Sequence, residues 1–214
     1  FKINKRVITV TDSKSVPYSG SEQALVIGEG DEGQYKVDGD AAKGEKLVVT
    51  AKVTGTEVGP YTQVVGTGED GAVWSIEGGK ASNYDVTVSG TLTITKAGAT
   101  QFQGTVSLDD WTYGEKAATE EASTNGGDYG DPSYTYSSDG GKTWSGDKPS
   151  DAGDYMVKAT WAATNNCDEI YATDTFKINK RVITVTDSKS VPYSGSEQAL
   201  VIGEGDEGQY KVDG

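Results

Sequence analysis

The sequence predicts an all-β protein made of tandem sandwiches arranged as an extended rod, and three observations carry that prediction. Alternation with a period of two, dominated by Thr, Val, Ile and Tyr, recurs along the chain, and no stretch sustains a helical period. Glycine-rich or acidic turns separate the alternating runs, as in antiparallel sandwiches. Residues 1–39, FKINKRVITVTDSKSVPYSGSEQALVIGEGDEGQYKVDG, recur without a difference at 176–214, which sets a repeat period of 175 residues. A copy this perfect implies recent duplication within a longer tandem array.

The strands follow in order. RVITVT (6–11) alternates Ile8 and Val10 with threonines, and QALVIG (23–28) is a short apolar run closed by the acidic turn GEGDEG (28–33). KLVVTAKV (46–53) is the next β-branched run, and GTGEDG (66–71) is a turn. NYDVTV (83–88) and TLTITK (91–96) alternate on either side of Ser89-Gly90, which reads as a turn between two strands. SYTYSS (133–138) lies between the turns TNGGDYGD (124–131) and SSDGGK (137–142). DYMVKATWA (154–162) and DTFKINK (174–180) complete the pattern.

A 175-residue repeat is too long for one sandwich of about 100 residues, and an internal seam falls near Lys96-Ala97-Gly98. The expected organisation is the last strand of a preceding module at 1–5, module A at 6–97, module B at 98–180, and the first part of the next module A at 181–214. NYDVTVSGTLTITK and DYMVKATWAATNNCDEIYATDTFKINK both place a Tyr at the head of a penultimate strand that turns back into a final one. TFKINKRVITV (175–185) has no Gly, Pro or Ser, and the A-to-B junction has only Ala97-Gly98 as relief, so the rod is expected to be stiff.

Composition excludes several chemistries. The chain has 33 acidic and 19 basic residues, a net charge of −14, one cysteine and no histidine. Without histidine there is no Ser-His-Asp or Cys-His nucleophile and no imidazole metal site. Arg6 and Arg181 are the only arginines, so nucleic acid is not an expected partner. No run approaches the roughly 18 apolar residues of a membrane helix.

In module B, Asp151-Ala152-Gly153-Asp154-Tyr155 resembles the D-x-G-x-Y stretch of immunoglobulin-like domains. The resemblance implies that Tyr155 packs inward and its hydroxyl bonds nearby backbone, a structural role. Trp111, Trp144 and Trp161 are the candidate core aromatics. Module A, through VITVTDSKSVPYSG (7–20) and NYDVTVSGTLTITKA (83–97), resembles the MBG and YDG-type immunoglobulin-like modules of bacterial surface proteins. Module B is similar to the broader bacterial immunoglobulin-like repeats of secreted adhesins. The resemblance implies tandem immunoglobulin-like β-sandwiches forming a stalk outside the cell, on a bacterial surface. Ser137-Ser138-Asp139-Gly140-Gly141-Lys142-Thr143-Trp144 fits the Asp-box known from sialidases. That motif is a tight hairpin in which Asp139 caps backbone amides and Trp144 tucks beneath. Two arginines cannot build a sialidase carboxylate clamp.

The expected function is a structural stalk of a repetitive bacterial cell-surface adhesin or filament, not an enzyme and with no required cofactor. Its partners are neighbouring repeats and other copies of the filament. The alternative is that the modules bind mucin or host glycans, with Trp74 or Trp111 as stacking platforms. Calcium is a weaker candidate ligand, through Asp31, Glu32, Asp38, Asp40, Asp128 and Asp131 in acidic turns. Adjacent carboxylates at Asp109-Asp110, Glu120-Glu121 and Asp168-Glu169 read as solvated surface, because neighbours in a strand face opposite ways. Lys14 with Asn83 is a formal isopeptide pair. Cys167 is either a buried thiol or a link between chains. The chain begins inside a B strand and ends inside an A module, which suits a piece of a continuous polymer, or a segment 181–214 able to replace 6–39 against another molecule's 40–97.

Overall fold

A computed structural model describes residues 2–27, 36–65, 73–199 and 210–213. Its secondary structure is β throughout, apart from a 3-10 turn at Ala81–Asn83. The strands are β1 (Arg6–Pro17), β2 (Gln23–Val26), β3 (Lys36–Asp38), β4 (Lys46–Val49), β5 (Lys52–Gly55), β6 (Gly59–Val65), β7 (Trp74–Glu77) and β8 (Tyr84–Thr95). Then come β9 (Gly104–Ser107), β10 (Trp111–Thr112), β11 (Glu121–Thr124), β12 (Ser133–Ser137), β13 (Gly153–Trp161), β14 (Ile170–Asn179), β15 (Thr184–Asp187) and β16 (Tyr210–Asp213).

In the first sheet, of order β3-β1-β8-β6, β1 runs parallel to β8 in unbroken register from Arg6↔Tyr84 to Pro17↔Thr95. Its other edge pairs antiparallel with β3, Val10 opposite Val37, and β6 pairs antiparallel with β8, Tyr61 opposite Leu92. Ile8, Val10, Val86, Val88, Leu92 and Ile94 from this sheet pack with Leu25, Ile27, Val53, Trp74 and Ile76 in one core. Each such side chain contributes about 1.5–3 kcal/mol by leaving water.

The structure corrects two strand assignments. Tyr84–Thr95 is one twelve-residue strand with no turn at Ser89-Gly90, because the alternation never changes phase: Val88 and Leu92 are buried and Gly90 faces inward between them. A Cβ on Gly90 would lie 2.6 Å from Ile27 Cδ1, so the glycine serves a close approach within a strand. The run 46–53 divides into β4 and β5 because the chain changes partners at Thr50-Ala51, pairing with β7 before and β2 after. Thr50 N–H donates to Val73 O and Ile27 N–H to Ala51 O, each at 2.8 Å, which satisfies the backbone at the switch.

The second sheet has the order β10-β14-β13-β12, with β10 parallel to β14. In both sheets, then, the long last strand (β8 or β14) lies between a parallel earlier strand (β1 or β10) and a second neighbour (β6 or β13). The second core gathers Leu108, Trp111, Tyr136, Val157, Phe176 and Ile178. Phe176 stacks on Trp111 and Tyr155, with ring centroids 5.3 and 5.6 Å apart, and meets Tyr136 edge-on at 6.3 Å.

Chain contacts group the residues into two compact units. Phe1–Thr105, Ala122–Ser133 and Ala159–Ala172 form the first; Val106–Glu121, Tyr134–Lys158 and Thr173–Gly214 form the second. Residues 96–98 therefore lie inside the first unit. The second copy of the duplicated segment repeats the strand pairing of the first: Thr184↔Asp213, Val185↔Val212 and Thr186↔Lys211 correspond to Thr9↔Asp38, Val10↔Val37 and Thr11↔Lys36.

Replacing Gly90 by Val should destabilise the chain by about 1–3 kcal/mol through overpacking against Ile27 and Val53. Urea unfolding measures this; an unchanged midpoint would mean that β8 does not pass this close to β2 and β5.

Candidate functional site

A polar cluster surrounds Asn166, in the loop between β13 and β14. Asn166 is buried, at 4% exposure, and every polar side-chain atom is used. Its Oδ1 accepts from Val58 N–H at 2.9 Å, and its Nδ2 donates to Glu57 and, at 3.0 Å, to Asp128 Oδ2. A buried amide satisfied on both sides is a strong positional lock, since losing either partner strands a desolvated group. Asp128 also accepts from the Thr164 hydroxyl at 2.6 Å. That bond leads the effects that hold the Asp128 carboxyl below its ordinary range, against opposing desolvation.

The same loop grips residues 96–98. Ala97 N–H donates to Asn166 O at 2.9 Å, Asp168 N–H donates to Ala97 O at 2.8 Å, and Lys96 Nζ donates to Thr164 O at 2.7 Å. Ala97 and Cys167 form a parallel bridge and are both fully buried. The thiol of Cys167 is thereby shielded, and burial raises its pKa, so a link between chains through it would require the loop to open. Tyr18 meets Phe102 edge-on beside this cluster, at 6.4 Å. The residues on either side of Ala97 are thus packed and hydrogen-bonded.

Glu57 belongs to a motif missed in the sequence. Glu57-Val58-Gly59-Pro60-Tyr61 has the spacing of Asp151-Ala152-Gly153-Asp154-Tyr155, with Glu in place of Asp. The Tyr61 hydroxyl donates to Glu57 O at 3.0 Å, as the Tyr155 hydroxyl donates to Asp151 O at 3.0 Å. Both tyrosines sit near the start of the strand beside the last one, β6 and β13. The partner of Tyr155 is therefore Tyr61, not Tyr84, which opens the last strand β8 and bonds Glu45 and the Ala42 amide. A search for [DE]-x-G-x-Y finds both, together with Asp31-Glu32-Gly33-Gln34-Tyr35 and its copy Asp206-Glu207-Gly208-Gln209-Tyr210.

The Asp139 hairpin is built as a cap. Asp139 Oδ1 accepts from Lys142 N–H at 2.9 Å, Thr143 N–H at 3.0 Å and the Ser137 hydroxyl at 2.7 Å, and Oδ2 accepts from the Thr143 hydroxyl at 2.6 Å. These donors, Thr143 foremost, hold the carboxyl far below the usual carboxylate range. Gly140 and Gly141 take positive φ, 75° and 86°, which the turn requires. Trp144 donates from Nε1 to Gly141 O at 3.1 Å and carries Lys158 Nζ 4.5 Å above its ring.

Glu120 turns inward to Lys148 Nζ at 2.8 Å and to the Tyr136 hydroxyl, whereas Glu121 is exposed. Desolvation pushes the Glu120 carboxyl up, but the bonds from Lys148 and Tyr136 outweigh it and the net shift is downward. The adjacent pair thus diverges, as its place at the start of β11 requires.

Other candidates fall elsewhere. Asp31 and Glu32 lie outside the described residues. Asp38 ends β3, Asp40 is an exposed ion-pair partner of Arg6 at 3.3 Å, and Asp131 is exposed. Among the described residues no three acidic or cysteine side chains are grouped as a metal would need. Lys14 is opposite Leu92 while Asn83 precedes Tyr84, opposite Arg6. Eight residues of strand place Lys14 about 26 Å from that end, out of reach of an isopeptide bond. Trp74 and Trp111, the expected glycan platforms, are buried at 5% and 8% exposure because both are core residues.

The chain matches no protein-family model and no curated protein. A solved structure similar to it is the crystal structure of Dscam1 isoform 4.44, N-terminal four Ig domains. The TM-score is 0.30 and the identity 15%, over 78% of this chain and 45% of that one, so the chain spans less than half of its length.

Two substitutions probe these clusters. Asn166→Asp places a third carboxylate against Glu57 and Asp128; it should cost about 2–4 kcal/mol near neutral pH and progressively less toward pH 4 as carboxyls protonate. A pH-independent loss would show that packing alone holds the loop. Because the folded-state pKa of Glu120 is depressed, its stabilisation is present above the unfolded carboxyl pKa and is lost as pH falls through the lower folded one. Glu120→Gln should accordingly cost about 1–3 kcal/mol at pH 7 and converge with the parent in acid, as followed by thermal unfolding across pH.

Proposed function

We propose that this chain is a structural spacer: a stretch of immunoglobulin-like modules in the stalk of a repetitive bacterial surface adhesin or surface filament, outside the cell, holding a binding region at a distance. The observation that carries the reading is the exact 39-residue recurrence at a period of 175, whose two copies share one strand register. A spacer must add length in equal units, and an array of one repeated sequence does so by construction.

Two further features support it. Residues 96–98 are held by three backbone and side-chain bonds to the Thr164–Asp168 loop, so the chain passes from Thr95 to Gln101 without a free tether. The net charge of −14 gives neighbouring stalks mutual repulsion and keeps them apart in solution. Reach is then set by repeat number and resistance to bending by locks such as Asn166. The partners of such a chain are its own neighbouring repeats.

Small-angle scattering from chains carrying one, two and three 175-residue repeats should give maximum dimensions that rise in equal steps. A glycan and mucin binding screen on the same chains should give no saturable binding. Dimensions that level off, or a saturable glycan ligand, would overturn the spacer reading.

A further inference from the structure

Force through a folded chain acts between the residue where it enters and the residue where it leaves, so strand direction decides how a sheet resists it. In the first unit the chain enters β1 at Arg6 and leaves β8 at Thr95. Because the two strands are parallel, with Arg6 opposite Tyr84 and Pro17 opposite Thr95, these points lie at opposite ends of one ladder. Eleven residue steps of about 3.3 Å put them roughly 36 Å apart along it. Tension between them slides β1 against β8, and the bonds of the ladder resist together. Tension between Arg6 and Tyr84, at one end, opens the same ladder one pair at a time.

Sliding is opposed in three ways. The ladder runs through twelve consecutive pairs with the evenly spaced bonds of parallel strands, and the Tyr18 N–H bond to Thr95 O at 2.8 Å carries it past Pro17. A slip of one residue would turn Thr9 and Thr11 inward in place of Ile8 and Val10, which are buried at 1% and 0% exposure. A slip of two restores the facing only if β8 moves past Ile27. A Cβ on Gly90 would lie 2.6 Å from Ile27 Cδ1, and two residues either way bring Val88 or Leu92 into that space.

The corresponding contact in the second unit is short. Among the described residues β10 and β14 pair at Trp111↔Ile178 and Thr112↔Asn179, and the Tyr113 N–H bond to Asn179 O at 2.8 Å extends the contact. β14 ends at Asn179, and Lys180 leads directly to Arg181, the counterpart of Arg6. Tension therefore passes from the last strand of one repeat to the first strand of the next across a single residue.

We propose that the β1–β8 ladder is a shear clamp, which keeps the first unit folded at a tension that unfolds the second. The proposal rests on the spacer reading for the tension itself, and on the ladder for the response to it. A stalk built this way lengthens in two stages under pull. The second units open first, and the first units hold their fold until the force reaches the larger value.

Single-molecule pulling on the full chain tests this, with thiol handles at exposed positions; Cys167, at 0% exposure, does not take them. Handles at K5C and T95C load the ladder in shear, whereas handles at K5C and N83C load it from one end; Lys5, Asn83 and Thr95 are all exposed. Rupture should need several-fold more force in the first geometry than in the second. The two variants should share a urea midpoint, so that direction alone differs. Extension in the first geometry should grow by about 270 Å, the reach of about ninety unfolded residues less the length of the ladder. Handles at K5C and K180C span one repeat and should give two ruptures, the later one at the higher force and with that same extension step. Equal force in the two geometries overturns the clamp, and so does a single rupture across the repeat or loss of the first unit before the second. The scattering series on one, two and three repeats is independent of this result: its equal steps can fail while the direction dependence stands, and hold when the direction dependence is absent.

Discussion

The parallel pairing of β1 with β8 is the contact on which the first unit depends. It joins residues 6–17 to residues 84–95, so most of the module must be traversed before the two strands can meet. A ladder that closes so long a loop bears an entropic cost that its contacts must exceed. Once made, it brings Ile8 and Val10 beside Val86 and Val88 and gives β3 and β6 their edges. Among the described residues β15 keeps the register of β1 against β3 without such a ladder, and Ile183 and Val185 are exposed.

The two sheets reach a common arrangement with different side chains. In each, a parallel strand and a second neighbour flank the last strand, and a tyrosine near the start of that second neighbour bonds the carbonyl four residues back. In the first, the turn is also held from outside by Asn166; in the second, the aromatic body of Tyr155 stacks on Phe176. The turn geometry is shared because a tyrosine hydroxyl can satisfy a backbone carbonyl at a chain reversal while its ring remains in the core. What differs is the neighbour that each turn meets.

That difference bears on the mechanical reading. Where the chain leaves β8, the backbone of Ala97 is held on both sides by a loop whose own shape is set by Asn166, Thr164 and Asp128. Lean apolar cores, with 34% hydrophobic residues in the chain, leave such polar locks a larger share of the work of fixing geometry.

Much of this was legible in the sequence. Period-two alternation located β12, β13, the first half of β1 and the later part of β14, because a half-buried strand must alternate. The D-x-G-x-Y and S-x-D-x-G-x-T-W spacings located the Tyr155 turn and the Asp139 hairpin, because both are closed by residues within a few positions of each other. The duplication was visible as bare identity. Pairing across long separations was not legible: Gly90 reads as a turn until Ile27 is known to press against it, and 46–53 reads as one strand until its two partners are known. Nor did composition distinguish Trp74 and Trp111 as core residues, since a tryptophan's burial depends on what faces it. The sequence alone thus determined strand character, turn chemistry and repeat period, which are local or arithmetical. Tertiary structure alone decided which strands pair, which tyrosines correspond, and where Asn166 is buried, because each depends on residues brought together from distant parts of the chain.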